Sequence, residues 1–293
     1  MAERKPVIGL DVGGSSVKHG LVNPAHPLDF DVQVTAINSQ GTADAIIGTL
    51  ADIIATYRRE QPQVNRVGFG FPGPFDYPAG ISLITGLEKY EALYGLNIGA
   101  MLREKLDAPN LHIRFRNDAE AAIVGEANFG VGQPYSRIIG VTLGTGFGSA
   151  FVVDGRSVVR GEGVPANGWL YPIAFGDERA DDVFSTRGLL RRFASSGISA
   201  SSITEVDQAD DVVQAVFAAF GADLGRFLRP FARQFDAECV IVMGGIAEAI
   251  HLFQSQLESE LESEAGNGLP QTAVKRGILG QRAAVLGAVQ EWV

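Results

Sequence analysis

The chain has 293 residues, enough for one large or two medium domains, and 46% of them are apolar, which suffices for a buried core. Its formal net charge of −10 and isoelectric point near 4.9 argue against nucleic acid or an anionic membrane as a partner. No stretch is apolar and long enough to span a bilayer, and the single cysteine, Cys239, excludes an internal disulfide and leads us to expect a cytoplasmic protein.

The first element is a glycine-rich hairpin over residues 8–22, IGLDVGGSSVKHGLV. Asp11 precedes its turn, and a carboxylate beside a polyphosphate is repelled unless a cation lies between them, so we expect Mg²⁺ held there through water. Lys18 lies on the returning strand, and strand alternation leaves open which way it faces. Small residues let the backbone approach an anion, so the turn predicts phosphate contacts from Gly13, Gly14, Ser15 and Ser16.

A near-copy of this hairpin, IGVTLGTGFGSAFVV, occupies residues 139–153 and aligns with the first without a gap. Thr142 replaces Asp11, and no carboxylate occurs in the turn. Each copy alone is also compatible with an ordinary β-turn, but the repetition favours two phosphate loops. A dinucleotide fingerprint fits poorly, because its glycines lead into a helix. We assign the second phosphate loop to Gly144, Thr145, Gly146 and Gly148.

Further along the first half, the pattern predicts a strand over 30–37, an amphipathic helix over 42–59, a strand over 66–71, a helix over 98–106 and a strand over 111–115. The order βββαβαβ resembles the ribonuclease-H-like unit of the actin and hexokinase superfamily. We therefore expect a duplicated α/β fold with two domains around a nucleotide cleft. The predicted domains are 1–116, with a C-terminal helix over 281–293 packed on it, and 117–280.

The second half restarts the series near Arg137. The pattern predicts a long helix over 210–235 with a kink at Pro230, a strand over 238–243 that ends in Gly244 and Gly245, and a helix over 248–264.

The segment RNDAEAA follows directly after the strand over 111–115. Asn117 or Asp118 could simply cap the next helix. Because the segment lies at the junction of the two repeated halves, we prefer Asp118 as the base that accepts a hydroxyl proton during phosphoryl transfer, with Asn117 orienting a sugar hydroxyl. The loop GFGFPGP is either a rigid turn or a wall of the acceptor site, and we assign Pro72 and Gly73 to that wall.

Five ordered motifs now support a resemblance to a known family: IGLDVGGSSVKHGLV, FGFPGPFD, RNDAEAAIVGE, VTLGTGFGSAFVVDG and VIVMGGIAEA. In order and spacing the chain resembles the ROK family (repressors, open reading frames and kinases) over nearly its whole length. The resemblance implies that the first loop and Asp11 serve ATP phosphates and Mg²⁺, and that residues 144–148 form the second phosphate loop. It also implies that Gly244 and Gly245 border the adenosine, and that Asp118 is the base towards a hexose hydroxyl.

Two departures from the family pattern concern the sugar pocket and a metal. The usual Glu-x-Gly-His motif is replaced by GEGVPANGWLYPIAF, and the cluster of three cysteines that binds structural zinc with that histidine is missing. We therefore expect no structural zinc. Asn167 and Trp169 are our candidates for sugar contacts in the altered pocket, although Trp169 and Tyr171 could equally be core residues. Glu88 is a candidate hydroxyl ligand, although a solvated loop is the alternative.

The sequence thus predicts an ATP-dependent kinase of a hexose or a close relative, with Mg²⁺. A polyphosphate-dependent glucokinase is an alternative, as is a non-catalytic sugar sensor or regulator. We further expect a homodimer that binds a small sugar, no nucleic acid and no membrane. The sequence leaves open which sugar and which hydroxyl are used.

Overall fold

The computed structural model describes residues 5–263 and 271–293, which form two compact units. The first contains the described residues up to Phe129 together with Leu279–Val293, and the second is Gly130–Ile278. The sequence analysis placed the division after Arg116. In the structure the helix that follows packs on the C-terminal helix, and both belong to the first unit.

The strands and helices of the first unit follow the predicted order. They are β1 (Val7–Val12), β2 (Ser16–Val22), β3 (Gln33–Ala36), α1 (Ala43–Glu60), β4 (Arg66–Phe71), β5 (Phe75–Asp76), β6 (Ile81–Ser82), α2 (Ile98–Lys105), β7 (His112–Asn117) and α3 (Asp118–Phe129). A short 3₁₀ helix, Glu91–Leu93, lies between β6 and α2.

The main sheet of this unit has five strands in the order β3-β2-β1-β4-β7. β1 pairs antiparallel with β2 and parallel with β4, and β4 pairs parallel with β7. The carboxyl ends of the three parallel strands therefore meet at one edge, where Asp11 lies opposite Gly70 and Phe71 opposite Asn117. This edge brings the candidate residues of the first unit together.

Helix α1 shows why the sequence pattern was informative. The Thr42 hydroxyl caps the helix by accepting the Ala45 N–H at 3.3 Å. All six residues of the predicted apolar face are buried against the sheet: Ile46, Ile47, Leu50, Ile53, Ile54 and Tyr57. The prediction of this helix is confirmed.

The second unit repeats the strand arrangement of the first. Its elements are β8 (Arg137–Leu143), β9 (Phe147–Val153), β10 (Arg156–Val158), β11 (Ala174–Phe175), β12 (Glu178–Arg179), α4 (Ala180–Phe184), α5 (Thr186–Ser195), α6 (Asp211–Gln234), β13 (Cys239–Met243), α7 (Gln254–Glu262) and β14 (Ala273–Arg276). The five-stranded sheet has the order β10-β9-β8-β13-β14, with an antiparallel β8–β9–β10 and parallel β8–β13–β14. The predicted duplicated ribonuclease-H-like α/β fold is confirmed.

One of the two helices expected in the second unit differs from expectation. The helix expected over 248–264 is a 3₁₀ segment, Gly245–Leu252, followed by the shorter α7, and its last predicted residue lies outside the described residues. The long helix expected over 210–235 is α6, and Pro230 lies within it.

The chain ends in α8 (Arg282–Val289) and a 3₁₀ turn, Gln290–Trp292. Helix α8 packs on α3, β1 and β4 of the first unit. A Cβ at Gly287 would lie 1.7 Å from the Ala121 carbonyl oxygen, so the two helices can approach only with glycine there. No helix in residues 5–263 or 271–293 has the length and apolarity needed to cross a bilayer.

Candidate active site

The first glycine-rich turn joins β1 to β2 between the paired residues Val12 and Val17. The Gly13 N–H donates to the Ser16 carbonyl at 2.9 Å, which closes the turn. Gly14 and Ser15 form the exposed tip. A Cβ placed on Gly14 would meet no described atom within 4 Å, so an anion could approach the backbone here.

Asp11 and Lys18 are cross-strand neighbours in this hairpin. Lys18 Nζ lies 3.0 Å from Asp11 Oδ2, with the Asp11 side chain mostly buried and that of Lys18 about one-third exposed. The question of which way Lys18 faces is thus answered: it lies on the same side of the hairpin as Asp11. The pair keeps one negative and one positive group beside the turn.

Tyr90 supports the same turn from a distant part of the chain. Its hydroxyl donates to the Gly13 carbonyl at 2.5 Å, and the side chain is fully buried. Burial, with a smaller contribution from the charge of Asp11, raises the pKa of Tyr90 far above its ordinary value, so the hydroxyl stays a donor. The sequence analysis missed Tyr90, and no local pattern marks it.

Asp118 begins α3 immediately after β7 and therefore lies at the same sheet edge. The backbone passes close to β4, because a Cβ on Gly70 would already be 3.6 Å from the Asp118 Cα. Asp118 Oδ1 accepts the Ala119 N–H at 2.9 Å. The residue as a whole is only partly buried.

Burial is the main cause that raises the pKa of Asp118 above its ordinary value. The Ala119 N–H opposes this shift, the charge of Asp11 adds to it, and the charge of Lys89 opposes it. Asp11, Lys89 and Asp118 are therefore close enough to affect one another electrostatically.

The end of β7 is tied to the loop after β4 through Asn117 and Tyr77. Asn117 Oδ1 accepts the Glu120 N–H at 3.1 Å, so Asn117 is the residue that caps α3, and Asp118 is left for another role. Asn117 Nδ2 donates to Tyr77 Oη at 3.1 Å, and Tyr77 donates to the Phe71 carbonyl at 3.2 Å.

The proposed acceptor wall lies beside this pair. A Cβ on Gly73 would lie 3.1 Å from Tyr77 Oη and 3.9 Å from Asn117 Nδ2. Pro72 is buried and Gly73 is partly exposed. The structure therefore places Gly73 next to Asn117, as a shared acceptor site requires.

Glu88 lies elsewhere in the first unit. It is exposed, its backbone has φ 55°, and its carbonyl accepts a hydrogen bond from Gln40 Nε2 at 3.1 Å. It lines a cavity of about 480 Å³ with Ser39, Gln40 and Lys89. Lys89, rather than Glu88, is the residue of this segment whose charge acts on Asp118.

The second glycine-rich turn is one residue shorter than the first, because β8 and β9 close between Leu143 and Phe147. The gapless alignment of the two sequences is therefore not kept in the structure. Asp11 faces Lys18, whereas Thr142 faces Gly148. The Gly144 N–H donates to the Gly146 carbonyl at 3.1 Å. A Cβ on Gly144 would meet no described atom within 4 Å.

A carboxylate does support the second turn, although its own sequence has none. Asp181 Oδ1, from α4, accepts the Phe147 N–H at 2.8 Å. The Thr186 N–H, at the start of α5, donates to the Gly144 carbonyl at 2.7 Å. These two bonds hold both sides of the turn and leave Thr145 and Gly146 as its exposed tip.

Gly244 and Gly245 follow β13, whose last residue, Met243, is paired with Thr142. Gly244 has φ 91°, and a Cβ on it would lie 2.4 Å from the Leu143 carbonyl oxygen. Only glycine fits at this position. Gly244 thus lies directly beside the strand that leads into the second turn.

The candidate sugar-binding segment of the second unit follows β10. Asn167 is exposed with φ 59°, a conformation that asparagine tolerates well. The Ser149 hydroxyl holds the segment by donating to the Gly168 carbonyl and accepting the Leu170 N–H, each at 2.8 Å. Trp169 is only partly buried, and Tyr171, whose ring centroid is 5.8 Å from that of Trp169, is 40% exposed. Neither aromatic residue is therefore in the core.

Magnesium fits the first unit only as an ion that shares its ligands with phosphate. Among the described residues no group of three or more His, Cys, Asp or Glu side chains is arranged to hold a metal. Asp11 supplies one carboxylate beside an open turn. Mg²⁺ usually keeps several waters and is bound through one or two carboxylates plus substrate phosphates, so this donor set suits it.

Comparison with known proteins identifies the family of this chain. The sequence model of the ROK family matches residues 7–292. The chain belongs to the ROK family. The N-acetyl-D-glucosamine kinase of Haemophilus influenzae is 22% identical over 274 residues, which are 84% of this chain and 86% of that protein.

Solved structures agree with the fold. A ROK family glucokinase from Streptomyces griseus, in complex with glucose and AMPPNP, has a TM-score of 0.74 and 22% identity, and the match covers 98% of both chains. A ROK family transcriptional regulator, a homologue of the E. coli MLC protein, has a TM-score of 0.77 and 17% identity, with 99% of this chain and 78% of that chain covered. The family thus includes proteins named as kinases and as regulators.

Proposed function

We propose that this protein is a sugar kinase that transfers the terminal phosphoryl group of ATP to a hydroxyl group of a hexose or a close relative. The observation that carries the proposal is Asp118, a carboxylate with a raised pKa at the sheet edge that also bears Asp11, Lys18 and the open first turn. Kinases and glucokinases among the relatives support the same reaction class.

In the proposed reaction Asp118 accepts the proton of the attacking sugar hydroxyl. As that proton leaves, the hydroxyl oxygen forms a bond to the terminal phosphorus, and the bond from phosphorus to the bridging oxygen breaks to release ADP. Asn117 is held by the Glu120 N–H and by Tyr77, so its amide is positioned to orient the sugar beside Gly73. Burial raises the proton affinity of Asp118, which makes it a better base than an exposed aspartate.

The two turns would bind nucleotide phosphates through their exposed tips. We assign Gly14 and Ser15 in the first unit, and Thr145 and Gly146 in the second, to this contact. Gly13, Ser16, Gly144 and Gly148 shape the turns around these tips. Mg²⁺, when bound, would offset the negative charge of the phosphates, and Asp11 would hold it through water.

We propose that the sugar pocket departs from the glucokinase pattern. Trp169 offers a flat apolar surface to a sugar ring, and an aromatic ring cannot replace the bidentate grip of a carboxylate on two hydroxyls. We therefore expect weaker discrimination on hydroxyl stereochemistry, or a preference for a sugar other than glucose. Comparing kcat/KM for glucose, mannose, fructose and N-acetylated hexosamines measures this directly.

The central experiment is Asp118→Asn, assayed by ADP release with a panel of hexoses and amino sugars. An amide cannot accept the proton, so turnover should fall roughly 10²- to 10⁴-fold, the usual contribution of general base catalysis. Asp52→Asn, the same change on the exposed face of α1, is the matched control and should keep full activity. Undiminished turnover in Asp118→Asn would show that Asp118 is not the general base.

The raised pKa of Asp118 adds a stability test. The folded state binds this proton more tightly than the unfolded chain, so the free energy of unfolding decreases as pH rises from the ordinary aspartate pKa through the raised one. Asp118→Asn removes that penalty and should leave Tm at neutral pH unchanged or higher. A lower Tm would instead mean that the carboxylate stabilises the fold.

Two other functions remain to be separated from this one. A non-catalytic sugar regulator, suggested by the structural similarity to a transcriptional regulator, would bind sugar without releasing ADP. A polyphosphate-dependent glucokinase would be active without ATP when polyphosphate is supplied. The acidic character of the chain argues against a long polyanion as donor. The absence of structural zinc stays a prediction that elemental analysis can test. The homodimer stays a prediction that light scattering can test.

A further inference from the structure

A cavity of about 340 Å³ lies along the outer edge of the first unit's sheet, beside β7. Its walls come from residues 77–80, from α2, from β7 and from the C-terminal turn. None of the residues assigned above to nucleotide or sugar lines it. A volume in this range suits a small organic ligand.

The cavity is positively charged in a protein of net charge −10. Three guanidinium groups line it, those of Arg103, Arg114 and Arg116, against the single carboxylate of Glu291. Glu291 is shared, because it pairs with Arg114 and lies 3.7 Å from Arg116. Glu120 lies 3.5 Å from Arg116, so two carboxylates face three guanidinium groups. The group therefore keeps a net positive charge, which gives the cavity capacity for an anion.

The guanidinium group of Arg116 also has a hydrogen-bond donor that is not satisfied by any described residue. Its Nε lies 3.5 Å from Glu120 Oε1, but Nη1 is buried and has no hydrogen-bond partner among the described residues. A buried guanidinium nitrogen without an acceptor is costly. Arg103 has only a long contact, 3.5 Å from Nη1 to the Leu111 carbonyl. A bound anion would supply further hydrogen-bond acceptors to the three guanidinium groups, two of which now share the Glu291 carboxylate.

The remaining wall is aromatic. Trp292 lies under the Arg114 guanidinium, whose Cζ is 5.3 Å from the ring centroid, and Tyr77 also lines the cavity. Arginine recognises phosphate through its planar fork of donors, and an aromatic ring gives an apolar face to the body of an organic ligand.

We propose that this cavity is a second binding site of the protein, for a phosphate dianion, either free or as the phosphate group of a phosphorylated sugar. Arg103 and Arg114 bind the phosphate oxygens, and Arg116 supplies the charge behind them. The proposal does not depend on the kinase assignment, because binding is measured without ATP or a sugar acceptor.

Trp292 is a built-in reporter for the test. The chain has two tryptophans, so in a Trp169→Phe background all tryptophan emission comes from Trp292. Titration with sodium phosphate at constant ionic strength, which removes general salt effects, should give a saturable change in emission. Glucose 6-phosphate is titrated in parallel, with unphosphorylated glucose as the negative control.

Variants made in the Trp169→Phe background test which residues bind the phosphate. Arg114→Gln and Arg103→Gln should each weaken phosphate binding by roughly tenfold to a hundredfold, the effect of losing one charged hydrogen bond. Arg156→Gln, an exposed arginine of the second unit, should leave it unchanged. Glu291→Gln should tighten binding, because it removes the competing carboxylate. Gly144→Val should still bind, which separates this site from the phosphate loops.

Tighter binding of glucose 6-phosphate than of phosphate would identify a phosphorylated sugar as the ligand, and the reverse order would identify free phosphate. The proposal is overturned if neither compound gives a saturable change, or if unphosphorylated glucose gives the same change. It is also overturned if Arg114→Gln and Arg103→Gln leave the affinity unaltered, or if Glu291→Gln weakens binding.

Discussion

The two glycine-rich hairpins come from similar sequences but are supported in different ways. Two bonds from outside the hairpin hold the first turn: the buried Tyr90 hydroxyl donates to the Gly13 carbonyl, and the Ile37 N–H donates to the Ser15 carbonyl at 3.0 Å. The second is held on both sides, by Asp181 at the Phe147 N–H and by the Thr186 N–H at the Gly144 carbonyl. Although the two turn sequences are similar, the residues that form hydrogen bonds to each turn come from different elements of each unit.

The charges beside the turns differ as well. The four-residue first turn places Asp11 opposite Lys18, and the pair lies 3.0 Å apart. In the shorter second turn Thr142 lies opposite Gly148, so this position has no charge. The carboxylate of the second turn, Asp181, is already engaged with a backbone N–H and with Arg187. The proposal that the first hairpin holds a metal, and the second phosphate alone, rests on this difference in charge.

Among the variants that test the difference between the two hairpins, the largest effect on activity is expected at Asp11. Asp11→Asn removes the only carboxylate of the first hairpin and should lower kcat roughly tenfold to a hundredfold, as the loss of an outer-shell metal partner does. Thr142→Val, at the corresponding position of the second hairpin, is the matched control and should leave kcat unaltered. Equal effects at the two positions would show that the hairpins do not differ in metal binding.

The next effect is expected at Gly144. Its Cβ would meet no described atom within 4 Å, so Gly144→Val should fold with an unaltered Tm. The new side chain would occupy the space that a phosphate needs, and the KM for ATP should rise about tenfold, the loss of one good contact. Steady-state kinetics with varied ATP measures this. An unaltered KM for ATP would remove the second turn from the nucleotide site.

A smaller effect is expected at Asp181. Asp181→Ala leaves the Phe147 N–H without its acceptor and should loosen the second turn, raising the KM for ATP several-fold, from about 1 kcal/mol of lost positioning. Asp182→Ala is the matched control, because Asp182 pairs with the same Arg187 but its carboxylate does not reach the turn. If both variants behave alike, the Arg187 ion pairs rather than the turn account for the effect.

The smallest effect is expected at Tyr90. Tyr90→Phe keeps the buried ring and removes only the bond to the Gly13 carbonyl, so the free energy of unfolding should decrease by about 0.5–1.5 kcal/mol. Chemical denaturation measures this decrease. Because this bond is one of two that hold the first turn from outside the hairpin, the KM for ATP should also rise slightly. A change in stability alone would mean that the hydroxyl does not position the turn.

The sequence was sufficient where one local pattern determined the structure. The apolar face of α1, the strand limits of β4 and the duplicated strand order follow from periodicity, and the structure confirms them. Burial raises the pKa of the Cys239 thiol to about 12, which keeps the thiol protonated at neutral pH. The sequence also predicted a strand that ends shortly before Asp118, and the structure places this residue immediately after β7, at the carboxyl edge of the sheet.

What the sequence alone determined is therefore the two hairpins, the five-stranded order around each and the polar residues at their strand ends, since these depend on neighbours along the chain. The tertiary structure decided the register that brings Lys18 to Asp11, the role of Asn117 as the cap of α3, and the support of the turns by Tyr90 and Asp181. Tyr90 and Asp181 act on backbone atoms 77 and 34 residues away in the chain. Such contacts form only when separate elements pack together, and no local pattern encodes which elements will meet.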